Sequence, residues 1–434
     1  MRESALESDL SPAEKLYGLS LLWREATYNF AFFDQVPDLD WEQAYRDAIP
    51  RVLATDSLYH YYRELQRFCA LLKDGHTSIH LPDAVRAAIG WPPLLLKAVR
   101  RRAIVINVDR ALAPQVPLGS EIIAVEGKPT ADYLASEVFP YISSSTEHIF
   151  WEWGIRDLLD GLVGTEVRIT LRTPEQEVRE LTLVRQPSTA ERAWVAERRK
   201  RPEEGVEFRQ LEEGIAYVAL NHFALEEVVH AFEALLPSLY TSRGLIFDLR
   251  NNTGGNSDYA VEVVKHLTGQ PFLTSRWRTP EHIAAYKAWG QWADKVPELA
   301  RYRPYAEGKA WHEEEPERIV PPEGPKITAP LVVLIGHNTA SAAEDFLICL
   351  DSAKRATLVG QRTFGSTGQP LLVELPGGGM ARICAKRDTY PDGRDFVGYG
   401  IQPDHFIEPS VEAFLAGQDV VLEKGIEVLK TMMD

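Results

Sequence analysis

A serine hydroxyl at the start of a predicted helix is the residue of this sequence best placed to do chemistry. Residues 331–344 read LVVLIGHNTASAAE, an apolar run that stops at Gly336 and delivers Ser341 to the first turn of a helix. A serine at such a junction lies outside the carboxyl end of a strand, where open α/β sheets bind ligands. The free N–H groups and positive dipole end of the helix suit a developing oxyanion. Ser341 and Glu344 also match the S-x-x-E capping box, so a structural cap is the alternative.

A glycine pair follows a second predicted buried strand, in the segment DLRNNTGGN at residues 248–256. If the two strands are neighbours, a backbone N–H near Gly254 or Gly255 points toward the Ser341 hydroxyl. Together with the N–H of Ala342 it would form an oxyanion hole, in which each donor contributes about 3 to 4 kcal/mol in well-studied hydrolases. A tight turn that requires positive φ explains the same glycines, and both interpretations can hold together.

A serine nucleophile needs a base, and the sequence offers 11 histidines. His76 is the first candidate, because Asp74-Gly75 ends a predicted helix and leaves the imidazole on a short strand directly after it. His337, which lies close to Ser341 in the chain, and His80 remain alternatives.

The pattern of apolar and polar residues predicts the secondary structure that must position these residues. Helical periodicity runs through 12–73, and we expect a helical region over 1–91 that ends in the Asp-Gly-His strand. Short β segments and a Trp-rich helical stretch at 143–160 predict a small β-rich domain over 92–187, and a polar linker covers 188–208. Strands and helices alternate over 209–434, which indicates a layered α/β core. The Trp- and Pro-containing insertion at 274–328 either lies over the site or is an inert surface excursion.

Composition narrows the classes of function. The formal net charge of −16 over 434 residues disfavours nucleic acid and anionic membranes as partners, and the basic cluster at 198–201 is flanked by glutamates as in a solvated linker. Three widely spaced cysteines predict neither a disulfide framework nor a zinc site. We find no apolar run of ~20 residues and no signal-peptide core at the amino terminus. The expected location is therefore cytoplasmic, or secreted or periplasmic if a leader has been removed.

Five segments in order resemble the C-terminal processing peptidases, the tail-specific protease and tricorn-core serine peptidase family. They read DGHT, DLRNNTGGN, HNTASAAED, LVGQRTFGSTGQP and GYGIQPDH. The resemblance implies a multidomain α/β protein with a crotonase-like (ClpP/crotonase) core, an N-terminal helical region and an inserted PDZ-like β-rich domain. It also implies that Ser341 is the nucleophile, and that Ala342 with Gly254 or Gly255 forms the oxyanion hole.

One departure from the family determines the base. The lysine-dependent branch carries its base in a Thr-x-Gly-Lys-Gly element, and Ser366 occupies the lysine position here. The tricorn-like branch uses a histidine from an amino-terminal segment, which His76 matches, although Gly75 stands where that branch has a helper serine. The resemblance places the orienting acid before the segment GYGIQPDH. Asp395 is the first choice, with Asp388 and Asp392 behind it.

The resulting hypothesis is a serine endopeptidase that acts through an acyl-enzyme on the C-terminal tails of peptides or proteins. No metal or organic cofactor is expected, and a homo-oligomer is possible. The PDZ-like domain would select substrates by strand addition and capture of a terminal carboxylate. Two alternatives share the fold: a binding protein without catalysis, as in the interphotoreceptor retinoid-binding modules, and a crotonase-type enzyme that handles acyl-CoA.

Overall fold

The computed structural model describes residues 10–196 and 204–433. The start of the predicted helical region, residues 1–9, and the basic cluster at 198–201 lie outside these ranges, as does the middle of the predicted linker.

The first region is helical because polar caps start each of its long helices. Ser11 and Glu14 form a complete capping box, while Asp40 and Ser57 each accept a hydrogen bond from a first-turn N–H group. Apolar faces of the three helices pack into the main core, which confirms the helical interpretation of 12–73. The elements are α1 (Pro12–Asn29), α2 (Trp41–Leu53), α3 (Leu58–Ala70), β1 (Ser78–His80) and α4 (Asp83–Ala88).

The second region is β-rich and has a hydrophobic core of its own. Its main sheet is antiparallel, in the order β3-β4-β5-β8-β9 with β6 added beside β5, and a hairpin around Thr173-Pro174-Glu175 joins β8 to β9. The elements are β2 (Ile89–Trp91), β3 (Leu94–Val99), β4 (Arg102–Val108), β5 (Glu121–Val125), β6 (Lys128–Pro129), α5 (Thr130–Tyr133), α6 (Glu147–Arg156), β7 (Gly161–Leu162), β8 (Glu166–Arg172), β9 (Val178–Val184) and β10 (Gln186–Pro187).

The third region alternates strands and helices, which confirms the predicted α/β class. Its elements begin with β11 (Val206–Gln210), β12 (Ile215–Leu220), α7 (Glu227–Leu239), β13 (Gly244–Asp248), α8 (Ser257–Lys265), β14 (Phe272–Leu273), β15 (Arg276–Pro280), α9 (Ala284–Gly290), α10 (Arg303–Ala306), β16 (Trp311–Glu314) and β17 (Arg318–Ile319). They continue with β18 (Leu331–Ile335), α11 (Ala342–Ser352), β19 (Thr357–Gly360), β20 (Pro370–Glu374), β21 (Met380–Cys384), β22 (Arg387–Thr389), β23 (His405–Phe406), α12 (Val411–Leu415) and α13 (Val420–Met433).

Short turns of tighter or wider helix link these elements. They are 3₁₀ turns at Phe33–Gln35, Phe139–Tyr141, Glu212–Gly214 and Pro297–Tyr302, and a π turn at Leu134–Val138.

The central sheet sets the position of the site. Its order is β11-β12-β13-β18-β19-β23, with β11 antiparallel and the other neighbours parallel. Strands β12, β13 and β18 are buried along their whole length, as expected for parallel strands covered on both faces. Because β13 and β18 are adjacent and parallel, the loops that follow them meet at one edge of the sheet. These are the loops that carry the glycine pair and Ser341.

Smaller sheets bind the distant regions to this core. β1 pairs with β21, which brings the segment after α3 beside the carboxyl-terminal half of the chain. Within the predicted insertion, β15 pairs with β22, so its first part is joined to the core rather than detached from it. β11 also crosses the predicted boundary at 208/209, because its backbone extends the central sheet from residue 206.

Two further features concern the whole chain. Within 10–196 and 204–433, no helix combines the length and the apolar character needed to span a membrane. All three cysteines, Cys69, Cys349 and Cys384, are buried free thiols. Burial raises the pKa of the Cys69 thiol to about 12 and raises the pKa of the other two.

Candidate active site

Ser341 lies at the junction of β18 and α11 in a strained backbone conformation. Its φ is 57° and its ψ is −125°, in a region that residues other than glycine rarely adopt. Such a conformation costs roughly 1 to 3 kcal/mol and is concentrated at functional sites. The Ser341 N–H lies 3.3 Å from the Ser366 carbonyl oxygen and 3.2 Å from Glu344 Oε2, so both neighbours hold the strained turn in place.

His76 is joined to an acid through a hydroxyl. Its Nδ1 lies 2.7 Å from Ser366 Oγ, and Ser366 Oγ donates to Asp74 Oδ1 at 3.2 Å. The second oxygen of the Asp74 carboxylate accepts from Thr77 Oγ1 at 2.6 Å. The carboxylate is buried and fully engaged, so its orientation is fixed.

The donor and acceptor order in the hydrogen bonds from His76 through Ser366 to Asp74 determines which nitrogen of the imidazole carries the proton. Since Ser366 Oγ gives its proton to Asp74, it accepts from Nδ1–H, and the neutral ring then has its lone pair on Nε2. No hydrogen bond within the described ranges engages Nε2. Burial, the largest effect, lowers the pKa of His76 below its ordinary value; the charge of Asp74 acts to raise it, Arg382 to lower it and Asp345 to raise it. The ring is therefore suited to accept a proton at neutral pH.

Ser366 brings the predicted nucleophile and base to one place. Its carbonyl accepts from the Ser341 N–H and its hydroxyl contacts the His76 ring. Gly75 fits against it closely, because a Cβ built there would lie 2.6 Å from Phe364 Cε1 and 3.2 Å from Ser366 Cβ. The helper serine of the tricorn-like branch would not fit at this position without a shift of Phe364.

The glycine pair packs directly against Ser341. A Cβ built on Gly254, whose φ is +94°, would lie 2.7 Å from Ser341 Cβ and 2.9 Å from the Ala342 nitrogen. The Gly254 N–H is already bonded to Asn252 Oδ1 at 2.9 Å, and the Gly254 carbonyl accepts from the Phe223 N–H. In a trans peptide the N–H of Gly255 points opposite to that carbonyl, away from Phe223. Among the described residues, nothing bonds the N–H of Gly255 or that of Ala342.

Glu344 supports the loop that carries Ser366. Its side chain is buried and accepts from Thr363 Oγ1, from the N–H groups of Gly365 and Ser366, and from Ser341 N–H. The glutamate half of the predicted capping box is thus present, but the carboxyl serves the neighbouring loop as well as the helix start. Burial raises the pKa of Glu344 to about 8, although each of these hydrogen bonds acts to lower it.

The structure does not bring the predicted orienting acids to the imidazole. Asp395 forms a two-pronged ion pair with Arg387, at 2.9 and 2.8 Å. Asp392 lies exposed in a turn, paired with Arg394. Asp388 is buried beside Lys386 Nζ at 2.9 Å, and burial followed by the charge of Asp345 raises its pKa to about 7. Arginine partners and turn chemistry account for the first two acids, and the carboxylate linked to the imidazole, through Ser366 Oγ, is that of Asp74.

The alternative bases have other partners. His337 Nδ1 is hydrogen-bonded to Glu152, and its ring lies 4.8 Å from the ring of His148. His80 is exposed at the end of β1, where burial of part of its ring and the charge of Arg382 lower its pKa.

Sequence reasoning missed two residues of the arrangement. Asp74 was noticed only as part of a helix stop, although its place two residues before His76 was a usable signal. Ser366 was noticed as a substitution that removes a lysine, and its replacement role depends on contact with a segment 290 residues away. Because the two residues are so far apart in the chain, no local sequence pattern indicates that they are in contact.

Part of the chain matches a known protein family. Residues 214–407 match the model of Peptidase family S41. A carboxyl-terminal-processing protease of Synechocystis sp. is 30% identical over 224 residues, which are 50% of this chain and 44% of the relative. The chloroplastic carboxyl-terminal-processing peptidase 2 of Arabidopsis thaliana is 24% identical over 413 residues, 93% of this chain and 71% of the relative. The chain spans about half the length of the first curated relatives that it matches.

A solved structure supports the fold over almost the whole chain. The crystal structure of mature CPAF superposes with a TM-score of 0.73 at 16% identity, and covers 96% of this chain and 97% of that one. At this level of identity the likeness concerns the fold. The matched segment contains the glycine pair, Ser341 and Ser366, and the family predicted from the five sequence segments is confirmed. Residues 214–407 of this chain are therefore similar to peptidase family S41.

Proposed function

We propose that this protein is a serine peptidase in which Ser341 is the nucleophile and His76 the base. The observation that carries the proposal is the position of Ser366, which contacts the Ser341 backbone and the His76 ring at once. Names of the curated relatives, which are carboxyl-terminal-processing proteases, support the same reaction and the choice of C-terminal tails as substrates.

The proposed reaction is acyl transfer. His76 Nε2 takes the proton of Ser341 Oγ as that oxygen attacks a peptide carbonyl, and the N–H groups of Ala342 and Gly255 bind the oxyanion. The imidazolium then protonates the leaving amine, and water reverses the two steps to release the acid. Throughout, Nδ1–H remains bonded to Ser366 Oγ, whose proton is held by Asp74.

In this scheme Asp74 takes the role first expected of Asp395. Its carboxylate acts through the hydroxyl of Ser366, which keeps Nδ1 protonated and offsets the charge of the imidazolium that forms. Asp395 has no part in the proposal, because Arg387 occupies its carboxylate. Gly254 contributes by having no side chain beside Ser341, and its neighbour Gly255 supplies the N–H group.

We also propose that the α/β region is a crotonase-like core and that the β-rich region is PDZ-like. The parallel strands β12, β13, β18 and β19 with their connecting helices support the first assignment. The antiparallel sheet with its separate hydrophobic core supports the second. A PDZ-like unit would favour substrates that end in a free carboxylate.

A fluorophosphonate probe tests the nucleophile. We expect the wild-type protein to be labelled and to hydrolyse a peptide with a free C-terminus, and we expect Ser341→Ala to lose both activities by at least about a thousandfold. Ser242→Ala, at a half-buried serine after α7, is the matched control and should behave as wild type. An unlabelled wild-type protein, or retention of acyl-CoA in place of peptides, would contradict the proposal. An amidated peptide tested in parallel reports on the preference for tails.

A further inference from the structure

The turn before α6 belongs to the β-rich region but reaches the catalytic loops. Ser145 Oγ donates to Asp74 Oδ1 at 2.9 Å and accepts from the Gly75 N–H at 2.9 Å. It is therefore bonded to both residues that precede His76. Asp74 Oδ1 is the same oxygen that accepts from Ser366, so Ser145 and Ser366 share one acceptor.

Neighbours of Ser145 hold the other side of the same site. Thr146 Oγ1 donates to the Phe364 carbonyl at 3.0 Å, and His148 Nε2 lies 2.8 Å from the Thr363 carbonyl oxygen. The loop that carries Ser366 is thus held by hydrogen bonds from Thr146 and His148, which lie close to Ser145 in the chain. A single short segment touches the Asp-Gly-His segment and the 363–366 loop.

We propose that Ser145 is a positioning residue for the His76 base, supplied to the catalytic site by the β-rich region. This inference rests on the proposed serine peptidase function. In it, Ser145 acts through Asp74 and Gly75 and does not itself touch substrate. Its two hydrogen bonds fix the Asp74 carboxylate and the Gly75 backbone relative to each other. The direction of the hydrogen-bond chain from His76 through Ser366 depends on that carboxylate staying in place.

The arrangement has the form expected of a positioning device. A hydroxyl that donates to a carboxylate and accepts from a backbone N–H fixes both groups at little entropic cost. A shift of about 1 Å at a catalytic group can lower a rate a hundredfold, so small changes at Ser145 should be visible in turnover. Because Ser145 is proposed to act through Asp74 and Gly75 and not on the substrate, KM should stay unchanged.

Three variants separate positioning from general stability. Ser145→Ala removes both hydrogen bonds, Ser145→Thr keeps the hydroxyl, and Ser143→Ala alters the same turn at a serine bonded to the buried Cys69. We expect kcat to fall about tenfold in Ser145→Ala with KM unchanged, since loss of a hydrogen bond to a charged group has about this effect. Ser145→Thr should restore most of the rate, and Ser143→Ala should match wild type.

A spectroscopic signature keeps the inference independent of turnover. In wild type and Ser143→Ala, the His76 Nδ1 proton should give a downfield proton NMR signal, because Ser366 shields it from exchange. That signal should weaken in Ser145→Ala. Wild-type kcat and an unchanged signal in Ser145→Ala would overturn the inference, as would a loss of rate that Ser145→Thr does not restore. If the wild type fails to react with fluorophosphonate while the signal responds as expected, the proposed function fails and the positioning role stands.

Discussion

In the proposed mechanism, the hydroxyl of Ser366 takes the position beside the imidazole that a directly bonded carboxylate has in other serine hydrolases. It stands between the ring of His76 and the carboxylate of Asp74: it accepts from His76 Nδ1–H and donates to Asp74 Oδ1, which only accepts. A lysine side chain at this position would place a second base beside Ser341. With serine there, we propose that the imidazole of His76 is the base and that the loop orients it through Ser366.

Asp74→Asn tests the charge behind the imidazole. The activity of a histidine base rises with pH through its pKa, because only the neutral ring accepts the proton. Burial, the largest effect, lowers the pKa of His76, and the charge of Asp74 acts to raise it. Of the weaker effects, Arg382 lowers this pKa and Asp345 raises it. Removing the Asp74 charge should therefore move the acid limb of kcat/KM to lower pH and reduce the plateau by about a hundredfold.

The pH profile of kcat/KM measures both effects. Asp392→Asn changes an exposed acid paired with Arg394 and serves as the control, with no expected change in the limb. A limb that moves to higher pH in Asp74→Asn would contradict the assignment.

At the scale of single residues, the sequence alone could identify the candidates that stand in a recognisable local sequence pattern. Ser341 was recognisable because strand, small residues and helix follow each other locally, and His76 because it follows a helix stop. The sequence pointed to Asp395 as the acid, since no local pattern distinguishes a carboxylate bonded to Arg387 from one linked to a histidine through a hydroxyl. Only the fold shows that Asp74 is linked to the His76 ring in this way.

At the scale of elements, the close approach of two loops shapes the site. The loops after β13 and β18 are joined by the hydrogen bond from Ala340 N–H to the Asn252 carbonyl and by that from Thr339 Oγ1 to the Leu249 carbonyl. These hydrogen bonds hold the glycine turn in contact with Ser341. A side chain at Gly254 would need the space that the nucleophile and the first helical N–H occupy.

Gly254→Ala should therefore abolish turnover while the protein still folds. We expect kcat per folded molecule to fall by at least about a hundredfold, as when an oxyanion donor is displaced. Gly378→Ala is the matched control, since Gly378 has φ of +88° against +94° for Gly254 but has open space where its Cβ would lie. Backbone strain of about 1 kcal/mol is common to both variants. Equal activity in the two variants, measured by peptide hydrolysis, would refute the packing argument.

The principal elements could be predicted because their signals are local. Continuous apolar runs marked β12, β13 and β18, and helical periodicity marked the first three helices. The pairing of β15 with β22 could not be foreseen, since neither short strand has an alternating pattern that identifies its partner. For the same reason the insertion could not be placed relative to the site.

At the scale of the molecule, Arg387 joins three parts of the chain. Its guanidinium is buried and pairs with Asp34 after α1 and with Asp395, while its backbone lies in β22 opposite Arg278 of the insertion. Its charge is thus compensated by one carboxylate from the helical region and one from eight residues further along the chain. The guanidinium ties the helical region to the carboxyl-terminal half of the chain, and the backbone of the same residue pairs with the insertion.

Replacing Arg387 by methionine should destabilise the protein without changing the chemistry. Breaking a buried ion pair costs about 3 to 5 kcal/mol, and because both carboxylates are partly exposed we expect a loss of about 2 kcal/mol. Thermal unfolding should show a lower midpoint. Asp395→Asn should lower the midpoint less and keep wild-type kcat. A large loss of kcat in folded Asp395→Asn would return that acid to the catalytic arrangement.

The burial of all three thiols has a practical consequence. Their raised pKa values keep them protonated, and burial keeps reagents away, so the native chain should resist alkylation at neutral pH. One cysteine introduced on the outer face of the β-rich region and another on the core would then take paired spin labels without removing any native thiol. Such a pair would measure directly whether the two regions change their spacing when a peptide is added.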